Sequence, residues 1–261
     1  MSEPLPAALR RERMLELIGQ AGFARVSDLG EAFQVSDVTV RSDLDVLDRE
    51  QSIRRVHGGA VLRAPGTREP SFEEALESSA EEKRRIGQAA AAMVVPGSSV
   101  LLDVGTTTAA IARALVEREE LEGVTVITNG LTIALELERA IPRFDVVVTG
   151  GTLRPLQHSL VEPLAAVLLE RLHADLAFIG CTGVDPSGGI TNVNLPEADL
   201  KRVMVGSAER AVVVADGSKL GRTHLGRIAA LDEVAELITG ESAPADSVAA
   251  LREAGLPVAV A

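Results

Sequence analysis

Four short loops in this 261-residue chain carry residue types suited to holding an anion. Asp103-Val-Gly-Thr-Thr-Thr108 sets a glycine turn and three hydroxyls where an apolar, strand-like run gives way to a helical one. Such a helix start offers backbone N–H groups and partial positive charge, glycine lets a ligand approach the main chain, and threonine hydroxyls add donors. Thr128-Asn129-Gly130, Thr149-Gly150-Gly151 and Asp216-Gly-Ser-Lys219 follow apolar runs in the same way, and the last adds one of only three lysines in the chain. The candidate contacts for a phosphorylated small molecule are therefore Asp103, Gly105, Thr106, Thr107, Thr108, Asn129, Gly150, Gly151, Asp216 and Lys219, with Lys201 as a further cation. The plain alternatives are an ordinary helix cap at residues 103–108 and a surface salt bridge between Lys219 and Asp216.

A second group of residues is suited to a phosphate backbone and base edges. It comprises Ser36, Val38, Thr39, Arg41, Ser42, Arg54, Arg55 and His57. The elements that must position them are legible. Leu9, Met14, Leu15, Leu17 and Ile18 recur at helical spacing and stop at Gly19 to Gly22. Ser27 is suited to cap a second helix over 28–33, with Leu29, Ala32 and Phe33 as its buried stripe. After the turn Gln34-Val35, Ser36 is suited to cap a third helix from Asp37 to about Glu50, in which Val40, Leu44 and Leu47 share the inner face. Val38, Arg41, Ser42 and Asp45 then point outward. Residues 53–62 alternate around Gly58-Gly59 as a hairpin does. Three helices and a hairpin make a winged helix-turn-helix, whose third helix fits the major groove of DNA and whose hairpin is the wing.

Proline and glycine in 63–71 interrupt every periodic pattern. The reading is a DNA-binding domain over 1–62, a linker over 63–72 and an α/β domain over 73–261. In the last, the runs 100–104, 124–127, 144–148, 176–179 and 211–215 read as strands, and 82–95, 107–118, 131–139, 160–172 and 197–209 as helices. Alternation of this kind predicts a largely parallel sheet covered on both faces, with ligands at the carboxyl ends of its strands.

Composition sets the outer bounds. The chain is 46% apolar with a net charge of −12, and no apolar run approaches the roughly 18 to 20 residues of a membrane span, which argues against a membrane or disordered class. Residues 1–63 hold nine arginines against ten acidic residues, so most of the negative charge lies in the remainder. A single cysteine, Cys181, forms no internal disulfide, and four scattered histidines give no metal spacing, so neither a metal nor a cofactor is expected. The start lacks a signal-peptide pattern, and a cytoplasmic location is the expectation.

The runs Val35-Ser-Asp-Val-Thr-Val-Arg-Ser-Asp-Leu44 and Arg54-Arg-Val-His-Gly-Gly-Ala60 resemble the DNA-binding module of the DeoR-family transcriptional regulators. Ser42 stands where that pattern commonly has a second basic residue, and Gln51-Ser52 where a glycine and an apolar residue precede the wing. Glu82-Lys83, Asp103-Val-Gly-Thr-Thr, Thr128-Asn129, Gly150-Gly151, Gly180-Cys-Thr-Gly183 and Asp216-Gly-Ser-Lys219 resemble the family's C-terminal domain in order. Glu162 replaces a common glycine, and Gly240 a common aspartate. The resemblance spans about residues 6 to 240. It implies a sensor domain with a ribose-5-phosphate-isomerase-like fold, whose phosphorylated sugar or related metabolite weakens the grip on operator DNA. The expectation is a repressor of sugar or carbohydrate genes that binds double-stranded operator DNA as a homo-oligomer, dimer or tetramer.

Two other readings follow from the same residues. Glu197, Asp199 and Lys201 supply the acid and cation that an enediol isomerase needs, which would make the chain a sugar-phosphate isomerase with a DNA-binding arm. Alternatively, the α/β domain only oligomerises and binds no metabolite.

Overall fold

The computed structural model describes residues 5–49, 53–56, 58–62 and 69–261. The chain forms two compact units, Met1–Glu69 and Pro70–Ala261. His57 and residues 63–68 of the expected linker lie outside the described residues.

The first unit contains α1 (Ala7–Ala21), β1 (Phe23–Arg25), α2 (Val26–Phe33), α3 (Asp37–Arg49), β2 (Ile53–Val56) and β3 (Gly59–Leu62). Met14, Ile18, Leu29, Val40, Leu44, Leu47, Ile53 and Ala60 form one core. Three details depart from the sequence reading. The wing has a third strand, β1, in the order β1-β3-β2. Because α2 starts directly off that strand, the Val26 N–H donates to Gly58 O at 3.0 Å, and Ser27 is not its cap but donates to Asp28 instead. Val26 also takes the buried place expected for Ala32, which is exposed. The wing turn falls one residue early: Gly59 sits in the ladder opposite Val56, and a Cβ there would lie 2.2 Å from Ala24 O.

The second unit begins with α4 (Phe72–Glu77) and α5 (Ala80–Ala91) and continues through β4 (Ser99–Leu102), α6 (Thr106–Glu117), β5 (Val124–Thr128), α7 (Leu131–Leu137) and β6 (Phe144–Val148). A hairpin, β7 (Thr152–Arg154) with β8 (Ser159–Val161), precedes α8 (Leu164–Leu169) and β9 (Ala174–Gly180). Then come β10 (Gly183–Asp185), β11 (Gly189–Asn192), α9 (Leu195–Gly206), β12 (Ala208–Val214), β13 (Gly226–Ala229), β14 (Glu236–Thr239), α10 (Ala245–Glu253) and β15 (Val258–Val260). Seven strands form one parallel sheet in the order β15-β14-β12-β9-β4-β5-β6. Consecutive residues of a strand face opposite ways, so Val100 and Leu102 enter one core while Leu101 enters the other. Both faces are covered, as the unbroken apolar runs require.

The helix expected over 160–172 is the largest error of the sequence reading in this unit. Leu160 and Val161 belong to β8, where Leu160 pairs with Leu153 and donates its N–H to Asn129 O at 2.8 Å. Pro163 disfavours helix at the residue before it, so α8 begins only at Leu164. The short strands β10, β11 and β13, which form a small antiparallel sheet, were not expected either.

The strand order places the site. From β4 the chain steps outward through β5 and β6, then returns to β9 on the other side of β4 and proceeds through β12, β14 and β15. The reversal falls between β4 and β9, and the crevice beyond the carboxyl ends of such a pair is where open α/β sheets bind ligands.

Candidate functional site

In the first unit, α3 presents one face outward. Val38 is 73% exposed, and Arg41 and Ser42 are exposed, while Val40, Leu44 and Leu47 are buried. Ser36 caps the helix by accepting the Thr39 N–H at 3.2 Å, with its hydroxyl 3.0 Å from that of Thr39. The Arg41 guanidinium lies 3.8 Å from Asp37, with both side chains more than half exposed, a pairing that a DNA phosphate can replace at little cost. Arg55 is differently engaged: it donates to the main-chain oxygen of Arg41 at 3.3 Å and to the Asp45 carboxylate. It therefore ties the wing to α3. Arg54 lies opposite Val61 in the hairpin. Asp43, which the sequence places in the family pattern without a partner, is central here. Asp43, buried, accepts from Nε of Arg10 at 2.6 Å, and Arg11 lies 3.6 Å from its other oxygen, so α1 and α3 are joined by a buried ion pair.

In the second unit, the crevice beyond β4 and β9 is built around Asp103. This carboxylate is fully buried; its Oδ2 accepts the Gly180 N–H at 3.0 Å and pairs with the Lys201 ammonium from α9, while Oδ1 has no hydrogen-bond partner among the described residues. Burial pushes the Asp103 carboxyl up to about 6, against the pull of Lys201. Burial also works against the Lys201 ammonium, but the charges of Asp103 and Glu197 outweigh it, and its pKa lies above the ordinary lysine value. The Cys181 thiol sits in the field of Lys201, Lys219, Asp216 and Asp103, and desolvation pushes it up to about 12, so it stays neutral.

Lys83 completes the group. Its ammonium donates to Ala75 O and Ser78 O, each at 2.6 Å. Burial pulls its pKa below the ordinary lysine value; the Asp216 charge opposes this and the Lys219 charge adds to it. All three lysines of the chain thus converge on one end of the sheet. Lys219 lies 3.8 Å from Asp216, whose Oδ1 accepts the Ser218 N–H at 3.1 Å. Beneath that loop, Glu82 accepts the Gly217 N–H at 3.1 Å and the Ser242 hydroxyl at 2.8 Å.

The start of α6 supplies the neutral donors. Gly105, at φ 142°, occupies the cap position, a conformation open to glycine, and among the described residues no side chain caps the helix. Thr106, Thr107 and Thr108 are buried; the Thr108 hydroxyl donates back to Gly105 O at 2.9 Å. Thr106 and Lys83 also line a cavity of about 380 Å³ between α5 and α6. Asn129 braces the loop, accepting the Val104 N–H at 2.8 Å and donating to Leu160 O at 3.3 Å. Gly150 is exposed and Gly151 turns the chain into β7, where a Cβ would lie 2.3 Å from Val161 O. Gly151 thus allows the close backbone approach of the hairpin. Glu162 is exposed, so its carboxylate faces water.

The acid groups of the isomerase reading are committed elsewhere. Glu197 accepts from Arg154 Nη1 and the Ser159 hydroxyl, both at 2.7 Å, and Asp199 faces solvent, paired with Arg202 at 3.1 Å. Among the described residues no group of His, Cys, Asp and Glu side chains is placed to hold a metal, and no helix is long and apolar enough to cross a membrane. Lys83 was detectable from the scarcity of lysine in the sequence. Arg154 and Ser159 carried no such signal.

Comparison with known proteins decides the family. Residues 10–65 match the DeoR-like helix-turn-helix domain, and residues 78–241 the DeoR C-terminal sensor domain. The chain belongs to the DeoR family. The HTH-type transcriptional regulator GlpR of Haloferax volcanii is 36% identical over 97% of this chain and 97% of its own. A glycerol-3-phosphate regulon repressor of Haemophilus influenzae is 31% identical over 90% of this chain and 89% of its own. Ribose 5-phosphate isomerase A of Methanocaldococcus jannaschii is 20% identical over 54% of this chain and 55% of its own, at a TM-score of 0.41. This DeoR-family protein is a DNA-binding transcriptional regulator with a small-molecule sensor domain, and its full-length relatives are named as regulators, not enzymes.

Proposed function

We propose that this DeoR-family protein represses sugar or carbohydrate metabolism genes and is released from operator DNA by a phosphorylated sugar or related metabolite bound at the carboxyl ends of β4, β9 and β12. The observation that carries this reading is the convergence of all three lysines on the switch point, beside a helix start capped only by glycine. Lysines Lys83 and Lys219 with the N–H groups of Thr106 to Thr108 suit the phosphate. The unpartnered Oδ1 of Asp103 suits a sugar hydroxyl. Naming of a relative for glycerol 3-phosphate agrees with a phosphorylated polyol or sugar as the class.

DNA is gripped by the exposed face of α3, with Val38, Thr39, Arg41 and Ser42 as its base-reading residues; Arg54, Arg55 and His57 of the wing sequence are the candidate phosphate contacts, Arg55 being held by Asp45 in the free protein. Paired half-sites call for at least a dimer. The effector acts by binding better to the conformation whose recognition helices are misplaced. The test is fluorescence anisotropy on DNA from upstream of the protein's own gene, with a panel of sugar phosphates titrated into the complex. Release by one member, weakened in Thr106→Ala and Lys219→Ala without loss of DNA affinity, is the expected result. Binding that no member alters removes the effector half of the reading.

A further inference from the structure

The hairpin β7–β8 takes no part in either function described so far, yet it touches the support of the lysine cluster on one side and the start of the sensor domain on the other. On α9, Glu197 lies one turn before Lys201, and both side chains are buried. Lys201 pairs with Asp103 at the end of β4, and Glu197 is held by Arg154 of β7 and Ser159 of β8, each at 2.7 Å. A buried carboxylate tolerates the loss of its cation poorly, so a movement of α9 carries the hairpin with it. The hairpin is also sewn to the end of β5 through Leu160 N–H to Asn129 O at 2.8 Å and Leu131 N–H to His158 O at 3.0 Å.

At the hairpin's turn, Gln157 Nε2 donates to Pro70 O at 2.6 Å and His158 Nε2 donates to the Glu73 carboxylate at 2.7 Å. The His158 ring also meets Phe72 edge-on, with centroids 5.7 Å apart and planes at 72°. His158 holds these contacts at φ 53°, a conformation uncommon for a residue with a side chain. Pro70 is the first residue of the second unit, and the helix-turn-helix match ends at residue 65. The turn thus holds the first residues of the second unit, those that follow the DNA-binding domain in sequence.

We infer that the β7–β8 hairpin transmits effector occupancy from α9 to these first residues of the second unit, with Gln157 and His158 as the positioning residues at its far end. This rests on the reading that the lysine cluster binds the effector. A ligand that draws Lys201 from Asp103, or shifts α9, displaces Glu197, then Arg154 and Ser159, and finally the grip of Gln157 and His158 on Pro70 and Glu73. Contiguous contacts supply the route, and the coupling itself is an energy that perturbing the route must reduce.

The test uses the full-length protein carrying Gln157→Ala with His158→Asn, since asparagine keeps the left-handed turn accessible. The sugar phosphate that releases the wild type should bind the variant within about twofold of wild-type affinity, measured calorimetrically. Its effect on DNA affinity should fall from about tenfold or more to under about twofold. A variant released from DNA as readily as wild type overturns the inference. If no sugar phosphate in the panel binds the wild type, the effector reading has failed by itself, and the route is read without ligand by hydrogen–deuterium exchange. In Lys201→Met and Glu197→Gln, amides of 152–161 and 70–77 should exchange about tenfold faster while those of α10 stay unchanged. Unchanged protection of both segments in both variants overturns the route.

Discussion

Gly240 lies directly beneath the Glu82 side chain, where a Cβ on Gly240 would fall 2.1 Å from Cγ of Glu82. Glu82 is buried and fixed by the Gly217 N–H and the Ser242 hydroxyl, so it has no free direction in which to yield. The glycine at 240, where the family pattern commonly has aspartate, is thus matched to the carboxylate that supports the Asp216–Lys219 loop.

Gly240→Ala should therefore destabilise the sensor domain by about 1 to 3 kcal/mol, the range for forcing an added methyl group into a packed site. Gly240→Asp should cost more, because it sets a second carboxylate against Glu82. Both should weaken the response to effector, since Glu82 holds the loop that carries Lys219. Denaturant midpoints give the first result and anisotropy titrations the second. Wild-type stability in Gly240→Ala would show that Glu82 relaxes freely.

The wing holds a latch of its own. Arg55 is paired with Asp45 of α3, and the acidic partner stands on the outward face of that helix, the face proposed to meet DNA. Asp45→Asn should free Arg55 for a phosphate and remove a like charge, so affinity for any DNA sequence should rise several-fold. The salt dependence should steepen by about one unit of slope, the mark of one added phosphate contact. Weaker binding in this variant would mean that Arg55 serves DNA recognition by bracing α3.

Local pattern revealed the elements, whereas the pairings that matter are distant in sequence. Val40, Leu44 and Leu47 declared the inner face of α3 because helix geometry repeats within a few residues. Asp43 sits in the same run, but its partner Arg10 is 33 residues away and no spacing rule reaches it. Asp103 and Lys201 are separated by 98 residues and meet only because the chain reverses at the β4–β9 boundary. Leu160 and Val161 read as helix because their neighbours at 164–169 are helical and apolar; only pairing with 152–153 makes them a strand. Gly151, a ligand candidate by its place after β6, also makes a tight backbone approach in the hairpin that no local pattern announces, a Cβ there lying 2.3 Å from Val161 O.

Arg41 carries the clearest prediction for DNA. Its side chain is exposed on α3, on the same helix as the exposed Val38, and pairs loosely with Asp37 at 3.8 Å. Arg41→Ala should weaken operator binding by about 1 to 3 kcal/mol if the guanidinium reads a guanine. If it contacts only phosphate, the loss should be equal on every sequence and the salt slope should fall by about one. Competition between operator and random DNA separates the two, and unchanged affinity on both removes Arg41 from the interface.

Asp103 makes stability depend on pH in a direction opposite to that of most paired carboxylates. Burial raises its folded value to about 6, against the ordinary 3.8. Well below the ordinary 3.8 it is protonated in both folded and unfolded chains and contributes no slope. Between about 4 and 6 the folded protein keeps a proton that the unfolded chain has lost, so stability falls as pH rises through this window. At about 1.4 kcal/mol per unit, the loss is on the order of 3 kcal/mol at most. Asp103→Asn has no such proton to keep. Urea unfolding at about pH 4.5 and about pH 6.5 should therefore show wild type losing ground to the variant as the pH rises, while the variant remains burdened by an unpaired, buried Lys201 at both values. Parallel behaviour of the two proteins across the window would show that the Lys201 ion pair holds Asp103 ionised throughout, and the proton would have no part in the site.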